Sequence, residues 1–200
     1  MKKISILLVL LMVGFSSILA SDKTTINRMV LKAVQEFDKV NVSGDVTVEL
    51  RYNPDRAGYI VYHYDKNADK KIRCFNDENV LHVQGSSDAV MTRIVVFYGN
   101  PLTSIVYNGD ARLVAHRLKC SADGLDLLLN GSGDVKLGRV KSKKVNAVLN
   151  GSGNLTIVKV KIDNFNVVIN GSGEVVLKEK PENLNVIKNG TGTVTSASQD

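Results

Sequence analysis

From residue 125 onward apolar and polar residues alternate with a period of two, and the alternation is interrupted at regular intervals. The stretch "LDLLLNGSGDVKL" at 125–137 returns as "VNAVLNGSGNLTI" at 145–157 and as "FNVVINGSGEVVL" at 165–177. It fades to "LNVIKNGTGTVTS" at 184–196. Before each interruption Leu125, Val145, Phe165 and Leu184 share one column, and Leu127, Ala147, Val167 and Val186 share the next apolar one. The positions between them are polar: Asp126, Asn146, Asn166 and Asn185. After it, Val135, Leu155, Val175 and Val194 line up, followed by Leu137, Ile157 and Leu177. Alternation of this kind predicts strands with one buried face, because successive side chains of a strand point to opposite sides.

Asn130, Asn150, Asn170 and Asn189 open the interruptions, in steps of 20, 20 and 19 residues. A fixed period of this size predicts a solenoid in which each coil touches only its neighbours. No helix-length apolar pattern separates the strands, so the expected fold is all-β: a parallel β-helix of roughly 20-residue coils. In-register stacking would place equal positions of adjacent coils ~4.8 Å apart. Each Asn-Gly-Ser/Thr-Gly is then a corner. Glycine tolerates the positive φ a corner needs, and Ser132, Ser152, Ser172 and Thr191 could satisfy turn backbone groups. The asparagines should form a side-chain ladder, each amide donating to the next.

One column breaks the rule. Leu128, Val148, Val168 and Ile187 are apolar where the alternation points outward. Either the N-terminal part of the chain covers them, the commoner arrangement, or they form a contact strip through which the protein could also self-associate. The last coil is suited to ending the stack, with Lys188 at an inward position and a polar tail.

The N-terminal half is less regular. "FDKVNVSGDVTVELRY" at 37–52 carries the same alternation around a Ser43-Gly44-Asp45 corner, and Asn108-Gly109-Asp110-Ala111 is a degenerate early corner. "YNPDRAG" at 52–58 predicts a turn, and "YIVYHY", "NVLHVQG" and "TRIVVFYG" predict strands. Residues 26–37 fit one face of a helix or an extended segment, with the extended form preferred. The expected organisation is a signal peptide over 1–20 and one β-helix domain over 21–200, with regular repeats at about 103–196.

The signal peptide follows from Lys2 and Lys3, the apolar run from Ile4 to Phe15, and small residues ending at Ala20. It predicts export to the periplasm, cell surface or exterior, with no membrane-spanning segment after cleavage. Removing Lys2 and Lys3 lowers the formal charge from +6 to +4. The local group Lys136, Arg139, Lys141, Lys143 and Lys144 reads as a solvated face, and without interleaved aromatics it does not indicate nucleic-acid binding. Cys74 and Cys120 are the only cysteines, and in an oxidising compartment they are either a disulfide or two buried thiols. They form no metal-ligand spacing with His63, His82 and His116, so no metal or other cofactor is expected. Calcium-binding glycine repeats need a recurring Asp in a nine-residue period, which this chain lacks.

The succession "FDKVNVSGDVTVEL", "ENVLHVQG", "TRIVVFYGNPLTSIVYNGDA" and the three NGSG segments resembles the bacterial putative auto-transporter adhesins of the head GIN type. The resemblance implies an exported right-handed β-helix of a Gram-negative bacterium, preceded by an extended segment. It supplies no catalytic motif. The expected function is a non-enzymatic adhesin or binding module presenting a repetitive face to glycans or cell-surface proteins. Candidate binding residues are the corner positions Asn130, Ser132, Asn150, Ser152, Asn170, Ser172, Asn189 and Thr191, with the strip of Leu128, Val148, Val168 and Ile187 as a second surface. The alternative is a glycoside hydrolase using Asp134 and Glu174. These fall in one column two coils apart, ~9.6 Å between backbones, near the ~6.5–9.5 Å separation of inverting carboxylates.

Overall fold

The computed structural model describes residues 28–64, 72–85 and 93–197, so the expected signal peptide lies outside the described residues. The chain is a β-solenoid of about 5 turns with roughly 20-residue coils and 70% strand, and no α-helix occurs among the described residues. Its regular part comprises β8 (Ser104–Asn108), β9 (Arg112–Arg117), β10 (Leu125–Gly131), β11 (Asp134–Gly151), β12 (Asn154–Gly171), β13 (Glu174–Leu177), β14 (Asn183–Lys188) and β15 (Thr193–Ser196). Pairing is parallel and in register at the sequence period. Leu125 faces Val145, which faces Phe165, and Val135 faces Leu155, which faces Val175.

Within a coil the alternation slips at two places. Gly138 and Arg139 both point outward, as do Lys143 and Lys144, whereas Leu137, Val140, Ser142 and Val145 are buried. These slips are bends, so a coil has three sides, with the NGSG corner as its third vertex. Ser142 is buried at one bend because its hydroxyl donates to carbonyl oxygens, that of Ser121 at 2.9 Å among them. The core is one continuous apolar cluster from Phe37 to Leu177.

The N-terminal coils obey the same grammar in an unexpected spatial order. β2 (Lys39–Ser43) and β3 (Thr47–Tyr52) form a coil around Gly44, whose φ is +88°. On one side β2 and β3 pair with β8 and β9. On the other they pair with β6 (Val80–Gly85) and β7 (Arg93–Tyr98). The first coil of the chain is therefore interior, and Gly99–Thr103 carries the chain from β7 across it to β8. Antiparallel strands close this end: β4 (Tyr59–Tyr64) pairs with β7, β1 (Arg28–Ala33) with β4, and β5 (Ile72–Asp77) with β6.

Residues 28–33 are thus extended, in agreement with the preferred reading of that segment. The predicted turn at 52–58 contains a short 3-10 turn, Pro54–Arg56, capped by Asn53 Oδ1, which accepts from the Arg56 N–H at 3.2 Å. The disulfide is not formed. Cys74 and Cys120 are both buried and are not bonded to each other. Cys74 lies on β5, while Cys120 bridges to Leu102 ahead of β8, so at least three strand spacings, ~14 Å, separate them. That exceeds the span a disulfide can bridge. Cys120 instead donates to the Lys141 carbonyl at 3.3 Å, and its burial pushes the thiol pKa up.

Candidate functional site

The corners are built by backbone. Gly151 adopts φ +130°, a region closed to most side chains. Its carbonyl accepts from Ser172 N–H at 3.0 Å and Gly173 N–H at 3.2 Å, as the Gly131 carbonyl accepts from Ser152 and Gly153. The second glycine is needed for space, because a Cβ on Gly153 would lie 2.5 Å from the Gly133 carbonyl oxygen. The expected asparagine ladder is present and longer than its four NGSG members. Asn189 donates from Nδ2 to Asn170 Oδ1, Asn170 to Asn150, and Asn150 to Asn130, each at 2.8 Å. Asn130 donates to Asn108 at 2.5 Å, and Asn108 to Asn41 at 3.3 Å.

The hydroxyls differ from expectation. Ser132 Oγ donates to Asp110 Oδ1 at 2.6 Å, and its backbone N–H donates to the same oxygen at 3.0 Å. These two bonds, the hydroxyl first, hold the Asp110 carboxyl below the usual carboxylate range. Ser152, Ser172 and Thr191 are exposed and their hydroxyls form no hydrogen bond among the described residues. The backbone already satisfies the turn, so these hydroxyls stand in a row facing solvent.

Leu128, Val148 and Val168 are half-buried and Ile187 is 52% exposed. The N-terminal strands do not cover them. Those strands extend the same sheet instead, so the column runs on through Val106, Asn41 and His82 to Phe75. His82 and Phe75 stack with centroids 4.8 Å apart. On one flank of the strip lies the long asparagine ladder. On the other Asn166 donates to Asn146 at 3.0 Å and Asn146 to Asp126 at 2.8 Å. An apolar strip between two amide ladders, next to a row of free hydroxyls, makes one flat continuous surface.

Asp134 and Glu174 share a column as expected, but Asn154 stands between them. Its Nδ2 donates to Asp134 Oδ1 at 2.9 Å and its Oδ1 accepts from the Glu174 N–H at 3.1 Å. The lining of the adjoining shallow groove is wholly aliphatic or polar, among it Arg112, Lys136, Thr156 and Val176. An inverting mechanism needs a water between its carboxyls, and a side chain already occupies that position.

One cluster was missed. Glu49 points outward by alternation yet is 2% exposed. Its carboxylate accepts from Arg51 Nε at 2.6 Å and from Arg93, with His116 Nε2 at 3.9 Å. The only sequence signal was Arg51 two positions after Glu49, and Arg93 comes from a strand whose register was not legible. Among the described residues no group of His, Cys, Asp or Glu is arranged to hold a metal, and no helix is long and apolar enough to cross a membrane.

The profile of the family described as putative auto-transporter adhesin, head GIN domain, matches residues 36–200. The chain belongs to this family. Among solved structures, a putative adhesin from Bacteroides fragilis is 16% identical with a TM-score of 0.53, covering 85% of this chain and 97% of its own. At that identity the likeness is one of fold. A putative adhesin from Parabacteroides distasonis is 14% identical with a TM-score of 0.39, covering 85% and 97%. A putative lipid binding protein from the same species is 14% identical with a TM-score of 0.35, covering 86% and 96%. No functionally curated protein matches the chain. The description of the head GIN family supports a binding role as the coarse function.

Proposed function

We propose that this head GIN protein is an exported, non-enzymatic binding module whose flat face docks on a protein surface. The observation that carries the reading is the half-exposed strip of Leu128, Val148, Val168 and Ile187, continued by Val106 and flanked by amide ladders. An apolar strip rimmed by polar groups is the usual composition of a contact surface. Export is supported by the charge, apolar and small-residue order of residues 1–20. Light scattering on the parent and on Val148→Lys tests strip-to-strip association. A self-associated parent that becomes monomeric on substitution supports it, and a monomeric parent removes the self-contact version.

The unbonded hydroxyls favour a second reading, a glycan-binding corner row. Each ladder amide keeps one N–H and acceptor capacity for a ligand, and Ser152 and Ser172 add hydroxyls at the coil spacing. Because Asn150 is a ladder member, the cleaner test is Ser152→Ala with Ser172→Ala on a glycan array. Unchanged glycan signals would eliminate the corner row.

A further inference from the structure

On the opposite side of the coil from the flat face, Gly138 leaves a gap. Its register neighbours are His116 and Val158, and a Cβ at Gly138 would lie 1.9 Å from the His116 carbonyl oxygen. The backbone must be bare here, and the missing side chain opens a depression of about 320 Å³ with an aliphatic floor that includes Val114, Ala115 and Val158. Four cationic side chains line it, Arg117, Lys136, Arg139 and Lys159, together with His116. Arg139 pairs in register with Arg117 on one side and with Lys159 on the other, so these three stack along the solenoid axis over ~9.6 Å.

None of the four cations has an ion-pair or hydrogen-bond partner among the described residues, and the lining contains no carboxylate. Lys136 also lines the adjoining groove that holds Asp134 and Glu174, where Asp134 faces Arg112 at 3.8 Å. Glu49 is held by Arg51 and Arg93, and Glu179 Oε2 accepts from the Val160 N–H at 3.0 Å. Stacked like charges repel, so the column costs stability that a bound anion would offset.

We propose that this bend is a binding groove for an acidic polysaccharide laid along the solenoid axis. Arg117 and Arg139 would take its sulfate or carboxylate groups in bidentate pairs. Lys136 and Lys159 would add charge, and the Val114, Ala115 and Val158 floor would accept the C–H face of a sugar ring. The aliphatic floor argues against nucleic acid, whose single strands bind on aromatic platforms. A depression of this size admits a linear chain rather than a protein surface. The site is separate from the strip and the corner, and stands or falls independently of them.

Isothermal titration of the purified protein with four oligosaccharide-sized probes tests it: a heparin hexasaccharide, an oligogalacturonate, maltohexaose and oligothymidylate. The first carries sulfates and carboxylates and the second carboxylates only, so binding of the first alone would assign sulfate as the recognised group. At least one should bind, maltohexaose should not, and oligothymidylate should bind more weakly. Arg117→Gln with Arg139→Gln should weaken binding at least about tenfold, the loss of charge-assisted pairs. Lys143→Gln with Lys144→Gln makes the same charge change at the next bend and should alter it less than about twofold. All substituted side chains are exposed, so circular dichroism should show an intact fold. The proposal is overturned if neither acidic glycan binds, if both double variants lose affinity equally, or if oligothymidylate binds as tightly as the glycans.

Discussion

Asn150 and Asn130 lie directly above one another, and the amide of the first donates to the oxygen of the second at 2.8 Å. Asn150 in turn accepts from Asn170 at 2.8 Å. Asn150→Ala removes both bonds, and a net worth of ~0.5–1.5 kcal/mol apiece predicts a loss of about 1–3 kcal/mol in urea unfolding. Asn150→Asp is expected to be worse near neutral pH, because a carboxylate cannot donate to Asn130. If Asn150→Ala were neutral, the ladder would be a passenger of the fold.

Two glycines should respond oppositely to the same substitution. At Gly153 a Cβ meets a backbone oxygen at 2.5 Å, whereas at Gly124 the nearest atom is 3.8 Å away. Gly153→Ala should therefore destabilise by roughly 2 kcal/mol or more, in the range of other overpacking changes. Gly124→Ala should be neutral or stabilise by up to about 1 kcal/mol through the unfolded chain. Thermal melts of the two variants decide it.

Glu49 is a carboxylate sealed under its own partners. Glu49→Gln keeps the shape and removes the charge, and the loss of charge-assisted bonds predicts about 2 kcal/mol of destabilisation. Arg51→Ala should cost less, since Arg93 still reaches the carboxylate. Equal effects in chemical denaturation would mean that Arg93 contributes nothing.

Asp110 gives a pH signature. Its folded carboxyl is depressed by Ser132, so its stabilising contribution is present above the unfolded carboxylate value of ~3.9 and disappears as the pH falls through the folded one. The parent should exceed Asp110→Asn in Tm at neutral pH, and the gap should close in acid. In an NMR titration the Ser132 amide should shift as Asp110 protonates, with its midpoint below ~3.9. A midpoint above that value would mean that the two Ser132 bonds do not favour the charged form.

How far the fold was legible depends on one conversion. Where stacking is parallel and in register, an offset of 20 residues becomes a contact, so Leu125, Val145 and Phe165 announced their own neighbours. That conversion fails wherever chain order and stacking order part. The hairpin joining β5 to β6 turns through Glu78 and Asn79, both at positive φ, without the Asn-Gly that marks such turns. Nothing in "FDKVNVSGDVTVEL" signals that it pairs on both sides. The corner residues were located correctly, but alternation could not tell that the backbone alone would satisfy the turn and leave the Ser152 hydroxyl free. The basic groove depends on a missing side chain, and Gly138 is inconspicuous outside a motif.

The interior position of β2 and β3 governs how the molecule can assemble. A one-way spiral could wind as the chain emerges, but here the earliest coil has two open edges, filled by Arg93–Tyr98 on one side and by Ser104–Arg117 on the other. Nothing before residue 117 is complete until both flanks have arrived, so that portion should fold in a single late, cooperative event governed by distant contacts. The remaining coils can then add one at a time to a finished template. Partial unfolding should accordingly begin at the C-terminal coils and halt at β9.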